Sequence, residues 1–302
     1  MINSLINTKP GQTLLLFILS LLWAGVFLFV KIADQSMQPL TLMAGRAVFG
    51  TLFIFCILLL QGKWHLIKAQ LNPRSQRILL FNGICIAFMW FTIAKSEQVI
   101  TVAMASFLLT SLAVFSWIIA TFFTRERSFY LLNLFGIIVS VFAFIIMLGF
   151  KEIFHGNKSV WYALLYAIGI LVFVIGSATM KHSKINVKPI VGTLYSLFYA
   201  MIFLLLFAFI FEHPIHEHYN ASALISVLGL GILSTGIGYM IFFSLVTYAG
   251  QIFASLNGYL VPVLGFIIGI LFMKEPYAIH QILALLVILI GMFATNYSKS
   301  IK

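Results

Sequence analysis

The chain is predicted to be an all-α polytopic membrane protein whose ten transmembrane helices form two inverted five-helix repeats. Three observations predict this. Of its 302 residues, 62% are hydrophobic and only 8% charged, with a mean hydropathy of +1.11, whereas water-soluble domains carry roughly a quarter charged residues. The apolar residues fall into about ten runs, each near the ~20 residues that cross a bilayer. Landmarks of the first half return about 150 residues later in the second half. The period-two alternation of a membrane barrel is missing, and in hydrocarbon the backbone must satisfy its own polar groups, so the spans are helices.

The first run, near 12–31, follows a single lysine and ends at Lys31, with no small-residue cleavage site; it is read as a retained helix rather than a signal peptide. Pro39 opens the second, near 39–61. The third runs near 77–95, and the fourth near 100–123 is closed by the polar "FFTRERSF". A fifth lies near 129–150 and a sixth near 159–180, ending at Lys181. Pro189 opens the seventh, near 189–211. The eighth, near 222–247, is crowded with Gly229, Gly231, Gly236 and Gly238, which suit close helix packing. The ninth, near 251–273, contains "GFIIG" and Pro262 and ends at "LFMKEPYA"; the tenth lies near 277–297. Cys56 and Cys85 both fall inside spans, where a thiol packs as a small apolar group, so neither a disulfide nor a metal framework is implied.

The net charge of +11 is a topology signal. With ten spans both termini share a face, and that face collects Lys9, Lys63, Lys68, Arg74, Arg77, Arg125, Arg127, Lys181, Lys184, Lys188, Lys299 and Lys302 against Glu126 alone. The other face mixes Lys31, Lys95, Lys151, Lys158 and Lys274 with Asp34, Glu97, Glu152, Glu212, Glu217 and Glu275. The positive-inside rule then puts both termini in the cytoplasm of a cell (bacterial inner) membrane. No basic surface is interleaved with aromatics, so nucleic acid is not expected as a partner.

Lys31 and Lys181 end spans, and Pro39 and Pro189 open the next ones, at a common spacing of 150; Glu126 and Glu275 are 149 apart. At the latter spacing Ser106 matches Ser255, Trp90 matches Tyr239, Thr110 matches Tyr259 and Ala113 matches Pro262. Residues 1–150 and 151–302 are therefore read as two copies. A copy with an odd number of spans re-enters the membrane from the opposite side, which is the architecture of alternating-access carriers.

Three stretches, "LLWAGVFLFVKIADQSMQPLTLMAGRAVFG", "FTIAKSEQVITVAMASFLLTSLAVFSWIIATFFTRE" and "IFFSLVTYAGQIFASLNGYLVPVLGFIIGILFMKEPY", carry a resemblance over essentially the whole chain. It resembles the ten-helix EamA-type members of the drug/metabolite transporter superfamily. The resemblance implies a secondary transporter for a small metabolite, an amino acid or related zwitterion or anion in the leading reading. The relatives also include carriers of nucleoside-like compounds such as S-adenosylmethionine and flippases of lipids or lipid-linked sugars. The family usually has a proline in the fourth helix; here Ala113 stands there, and a straighter helix is expected. The buried first-helix glutamate of the smaller multidrug relatives has no counterpart, which disfavours a cation antiporter built on it.

Helical spacing suggests the lining of a central substrate cavity. Ser106 and Thr110 share a stripe of the fourth span; Ser255 and Tyr259 form the matching stripe of the ninth, with Asn257 as a further amide. Trp23, Phe27, Trp90 and Tyr239 add aromatic walls suited to a small amphipathic ligand. The plainer alternative is that the hydroxyls bond their own helix and the aromatics simply pack. Arg46 is the only charge in the second span, about two turns past Pro39. That reach of roughly 10 Å is long for snorkelling, so Arg46 is expected to face the protein interior or a wet cavity, as a structural clamp or as the partner of a substrate carboxylate. All seven carboxylates lie near span ends or in loops, which leaves Arg46 without a deep acidic partner. Asp34, Glu97 and Glu275 are read as solvated or capping groups, and as the acids that any proton coupling would have to use.

The loop "EHPIHEH" places His213, His216 and His218 beside two glutamates, but Pro214 breaks the register and no metal is expected. No span offers a nucleophile with a base, a paired acid or HExxH, so a membrane enzyme is the least supported class, and no cofactor is implied. The expected partners are a small-molecule substrate and the bilayer, with the protein a monomer or homodimer.

Overall fold

In the computed structural model, residues 5–69, 72–123, 158–183, 185, 187–274, 279, 282–283 and 285–287 are described. They are all-helical, with no strand among them. Eight helical segments are long and apolar enough to cross a membrane. The first is α1 (Lys9–Ala33), followed by α2 (Pro39–Leu60), the short α3 (Trp64–Ala69) and α4 (Pro73–Glu97). The fourth span consists of α5 (Val102–Leu108) and α6 (Ser111–Phe122); α7 (Lys158–His182) and α8 (Pro189–Phe211) follow. Then α9 (Ala221–Gly229), a π-helical stretch (Leu230–Ile237) and α10 (Gly238–Tyr248) make one continuous crossing, and α11 (Gln251–Ala254) with α12 (Asn257–Met273) makes another. The runs expected near 129–150 and, for the most part, near 277–297 lie outside the described residues, as do Glu126 and Glu275.

At one face, Glu212 after α8 accepts the backbone N–H groups of Leu40 (2.9 Å) and Thr41 (2.7 Å) at the start of α2. Ser96 at the end of α4 donates to the Tyr162 carbonyl near the start of α7 (2.8 Å) on that same face. The other face gathers Asn7, Gln61, Lys188 and Tyr248 around a cleft of ≈ 720 Å³. Thus α1 starts on one face of the molecule and α7 on the opposite one.

Local chemistry accounts for the helix starts and breaks. Pro39, Pro73 and Pro189 occupy first-turn positions, where the missing N–H costs nothing. Glu212 then supplies a carboxylate to two of the remaining orphan donors of α2, and its Oε2 also takes the Thr41 hydroxyl at 2.9 Å. The "EHPIHEH" loop is therefore a connector with a helix-capping carboxylate, and no cluster of three metal-ligating side chains occurs among the described residues. Glu212→Gln is expected to cost about 1 kcal/mol, through loss of a charged cap at a positive helix end, read as a lowered thermal midpoint of the purified protein.

The fourth span is not straight, contrary to the expectation drawn from Ala113. It breaks at Leu109–Thr110 without a proline. The Thr110 and Ser111 hydroxyls donate to the Phe107 and Leu108 carbonyls, both at 2.7 Å. The backbone switches to three-residue spacing, with Thr110 N–H to Phe107 O at 2.9 Å and Ala113 N–H to Thr110 O at 3.0 Å. Hydroxyls competing for helix carbonyls achieve here what a proline does elsewhere. The ninth span breaks similarly, with the Ser255 hydroxyl on Ile252 O (2.8 Å) and Gly258 N–H on Ser255 O (2.9 Å). The two breaks touch: a Cβ on Gly258 would lie 2.9 Å from the Leu109 carbonyl oxygen.

The glycine-rich eighth span packs backbone to backbone on α2. A Cβ on Gly231 would sit 2.4 Å from Phe49 Cβ and 3.2 Å from the Arg46 carbonyl oxygen, and one on Gly50 would sit 2.6 Å from Thr235 Cγ2. In the π-helical stretch the Gly238 N–H reaches back to the Leu233 carbonyl, five residues earlier. This wider winding presents Thr235 to α2 and the Ser234 carbonyl to α1, a use of π geometry common at functional sites.

Candidate functional site

A narrow cavity of ≈ 50 Å³ lies in the middle of the bundle, walled by α1, α2, α4, α7 and α10, with Leu109 and Leu112 closing it from the broken fourth span. Its surface is aromatic and aliphatic apart from Arg46, Glu97 and the hydroxyls of Tyr166 and Tyr239. The aromatic wall is a connected cluster around Tyr239, whose ring lies 5.6 Å from Trp23, 5.6 Å edge-on from Trp90 and 6.0 Å edge-on from Phe173. Each ring is buried, and the indoles find acceptors as buried N–H groups must. Trp23 Nε1 donates to the Ser234 carbonyl at 3.2 Å, and Trp90 Nε1 donates to the Tyr239 hydroxyl at 2.9 Å. The two residues that stand 149 apart in sequence are thus hydrogen-bonded partners.

Arg46 is only 4% exposed. Its Nε donates to Thr235 Oγ1 at 2.6 Å and its guanidinium carbon stands 4.3 Å from the centre of the Trp90 ring. Desolvation makes such a cation–π contact worth up to about 2 kcal/mol. Thr235 is the one oxygen that the guanidinium reaches among the described residues, so donors on its terminal nitrogens are left for the cavity. Trp90→Phe keeps the apolar wall but removes the donor to Tyr239; about 1 kcal/mol of stability is expected to be lost, measured by thermal unfolding alongside the fall in indole emission.

Five of the ten residues singled out from sequence line this cavity: Trp23, Phe27, Arg46, Trp90 and Tyr239. The other five are buried outside its lining, at the two helix breaks. Ser106 lies against Gly265, where a Cβ would come within 2.9 Å of Ser106 Cβ. Thr110 and Ser255 bond carbonyls of their own helices, and Tyr259 is 1% exposed. Asn257 is fully buried, and neither amide atom has a hydrogen-bond partner. The Thr110 and Ser255 hydroxyls are taken up by the breaks themselves, and the aliphatic Leu109 and Leu112 face the cavity.

Sequence reasoning missed Glu97, Tyr166 and Phe173 as lining. Glu97 ends α4 and looks like a solvated terminus in sequence, yet its Oε1 is buried and unpartnered inside the protein. The signal available was helical spacing: Glu97 lies seven residues, two turns, after Trp90 on the same face. Next to it, at the mouth, burial pushes the Asp34 carboxyl above its ordinary range, opposed by Lys31, Gln98 and Lys95.

The model of the EamA-like transporter family matches the chain twice, over residues 12–149 and 160–297. The chain belongs to the EamA-like transporter family. This EamA-like chain is 24% identical over 286 residues to the "Uncharacterized transporter YoaV" of Bacillus subtilis, with 93% of the chain and 95% of the relative covered. It is 22% identical to the "Protein PagO" of Salmonella typhimurium over 297 residues, covering 97% and 95%. A crystal structure of a protein 17% identical in sequence superposes with a TM-score of 0.75, over 95% of this chain and 98% of the other, so the two share a fold. The EamA-like chain is accordingly a multi-pass membrane protein of a transporter family, not of an enzyme family.

Proposed function

We propose that this protein is an alternating-access carrier for a small metabolite bearing a carboxylate, an amino acid or related zwitterion or anion, with both termini in the cytoplasm of the cell membrane. The reading takes residues 1–150 and 151–302 as two inverted five-helix copies that rock about the central cavity. It is supported by the opposite directions of α1 and α7, by the double family match, and by the contact between the equivalent residues Trp90 and Tyr239. The carrying observation is Arg46: a permanent cation held by one neutral hydroxyl, the Met43 thioether and an aromatic face in a cavity that is otherwise apolar apart from Glu97 and two tyrosines. A carboxylate complements its free donors, and Trp23, Phe27 and Phe173 suit an apolar side chain.

The cavity has room for water but not for a whole amino acid, so substrate entry requires its walls to part. The ≈ 720 Å³ cleft on the face that carries Lys63 and Lys188 shares no lining residue with the central cavity, so the helices between the two must part for it to serve as an approach. We assign the helix breaks, where Ser106, Thr110, Ser255, Asn257 and Tyr259 cluster, to that movement, as bistable joints next to the site. Reconstituted protein is expected to show saturable counterflow of labelled amino acids without chemical change. Failure of amino acids and other carboxylates to exchange, with uptake of nucleosides or lipids instead, would overturn the substrate class.

A further inference from the structure

Glu97 stands where two cavities meet. The central one reaches it from the Arg46 side, and a smaller one, lined by Lys31, Asp34 and Ile100 among others, reaches it from the face where α4 ends. Phe27 and Glu97 are the residues that line both. Its Oε1 is buried with no hydrogen-bond partner, although Arg46 lines the same cavity. A carboxyl so placed costs less as a neutral acid than as an anion, because burial penalises the charge, whereas guanidinium stays charged throughout.

We infer that Glu97 is a proton-binding site whose occupancy sets the charge of the central cavity. A hydronium ion arriving through the small cavity gives its proton to a Glu97 carboxylate oxygen, leaving a neutral carboxyl and water. With Glu97 ionised, its charge offsets that of Arg46; with Glu97 protonated, Arg46 stands uncompensated and draws an anionic group into the cavity. Proton and carboxylate therefore favour each other's binding, and by linkage each raises the other's affinity by the same factor. The charged and titratable groups that interact with Glu97 are Arg46 from α2, Lys31 and Asp34 from the end of α1 and Tyr166 from α7; Tyr239 of α10 lines the same cavity, and Lys95 on Glu97's own helix interacts with Asp34. Of these, Arg46 has the largest leverage among the charges, because it shares the desolvated cavity.

The consequence for transport, a proton carried together with an anionic substrate, rests on the carrier reading; the proton site itself does not. The test is pH-difference infrared spectroscopy of the purified full chain in lipid, without ligand, from about pH 5 to about pH 9, the span that buried carboxyls reach. A protonated-carboxyl band is expected in the wild type and in Asp34→Asn, is lost in Glu97→Gln, and titrates at a displaced midpoint in Arg46→Gln. Glu97→Asp, which keeps a carboxyl on a shorter stem, is the second variant should the glutamine form not fold, and it is expected to move the band rather than abolish it. A band unchanged in Glu97→Gln or in Glu97→Asp, or a titration unmoved by Arg46→Gln, overturns the proposal. A band that behaves as stated while no carboxylate is carried in liposomes removes the carrier reading and leaves the proton site standing.

Discussion

Arg46→Ala is expected to weaken binding of the transported carboxylate by at least about thirtyfold, the equivalent of about 2 kcal/mol for truncating one partner of a buried charged contact. Arg46→Lys keeps the charge but gives up the Nε bond to Thr235 and the guanidinium's contact with the Trp90 ring, so a smaller loss of about tenfold is expected. Both variants should still fold, since Thr235 returns to an ordinary helix hydroxyl and Trp90 keeps its bond to Tyr239. The measurement is ligand-induced thermal stabilisation of purified protein, in which a bound ligand raises the midpoint by mass action. If neither variant yields folded protein, Arg46 is a structural clamp rather than a ligand contact.

Gly231→Ala is expected to be the most damaging single methyl in the eighth span. The new Cβ would meet Phe49 Cβ at 2.4 Å, the Gly50 backbone nitrogen at 3.1 Å and the Arg46 carbonyl oxygen at 3.2 Å, so backbone must yield and not merely a flexible side chain. Overpacking of this kind costs about 1 to 3 kcal/mol and sometimes more. Because α2 and the π-helical stretch would have to separate, the Arg46–Thr235 bond should lengthen and substrate binding weaken with stability. Gly62→Ala is the control: Gly62 has φ +65° and nothing within 4 Å of the position a Cβ would take, so its cost is limited to local backbone strain. Thermal unfolding in detergent should separate the two clearly; equal midpoints would show that α2 and the eighth span do not depend on this contact.

The aromatic half of the cavity's lining was legible because a tryptophan or an arginine inside a span is rare enough to demand a reason, and helix position placed Trp23, Phe27, Arg46, Trp90 and Tyr239 near mid-span. The polar half was not. Serine and threonine on an apolar helix can face a cavity or turn to the carbonyl three or four residues back, and the letters are the same in both cases. The straight fourth helix failed for a related reason: a missing proline was weighed, while the adjacent pair Thr110 and Ser111 was not. Glu97 was misjudged because proximity to a helix end was taken for exposure to water, although the half-buried side chain keeps one carboxylate oxygen out of reach of solvent.

What the string of residues settles is whatever depends on a sum over many of them. Composition places the chain in a bilayer, run lengths make its spans helical, and proline and lysine punctuation locates the ends of eight spans to within a few residues. Those terms are additive, so errors at single positions cancel. Folding in three dimensions settles which groups meet: that Arg46 rests on Thr235 and Trp90, that Trp90 finds Tyr239, and that Glu97 lies between two cavities. Such contacts depend on how helices from distant parts of the chain rotate and approach, through π winding at Leu230–Ile237 and glycine contacts at sub-ångström tolerance, and no term local in sequence encodes that geometry.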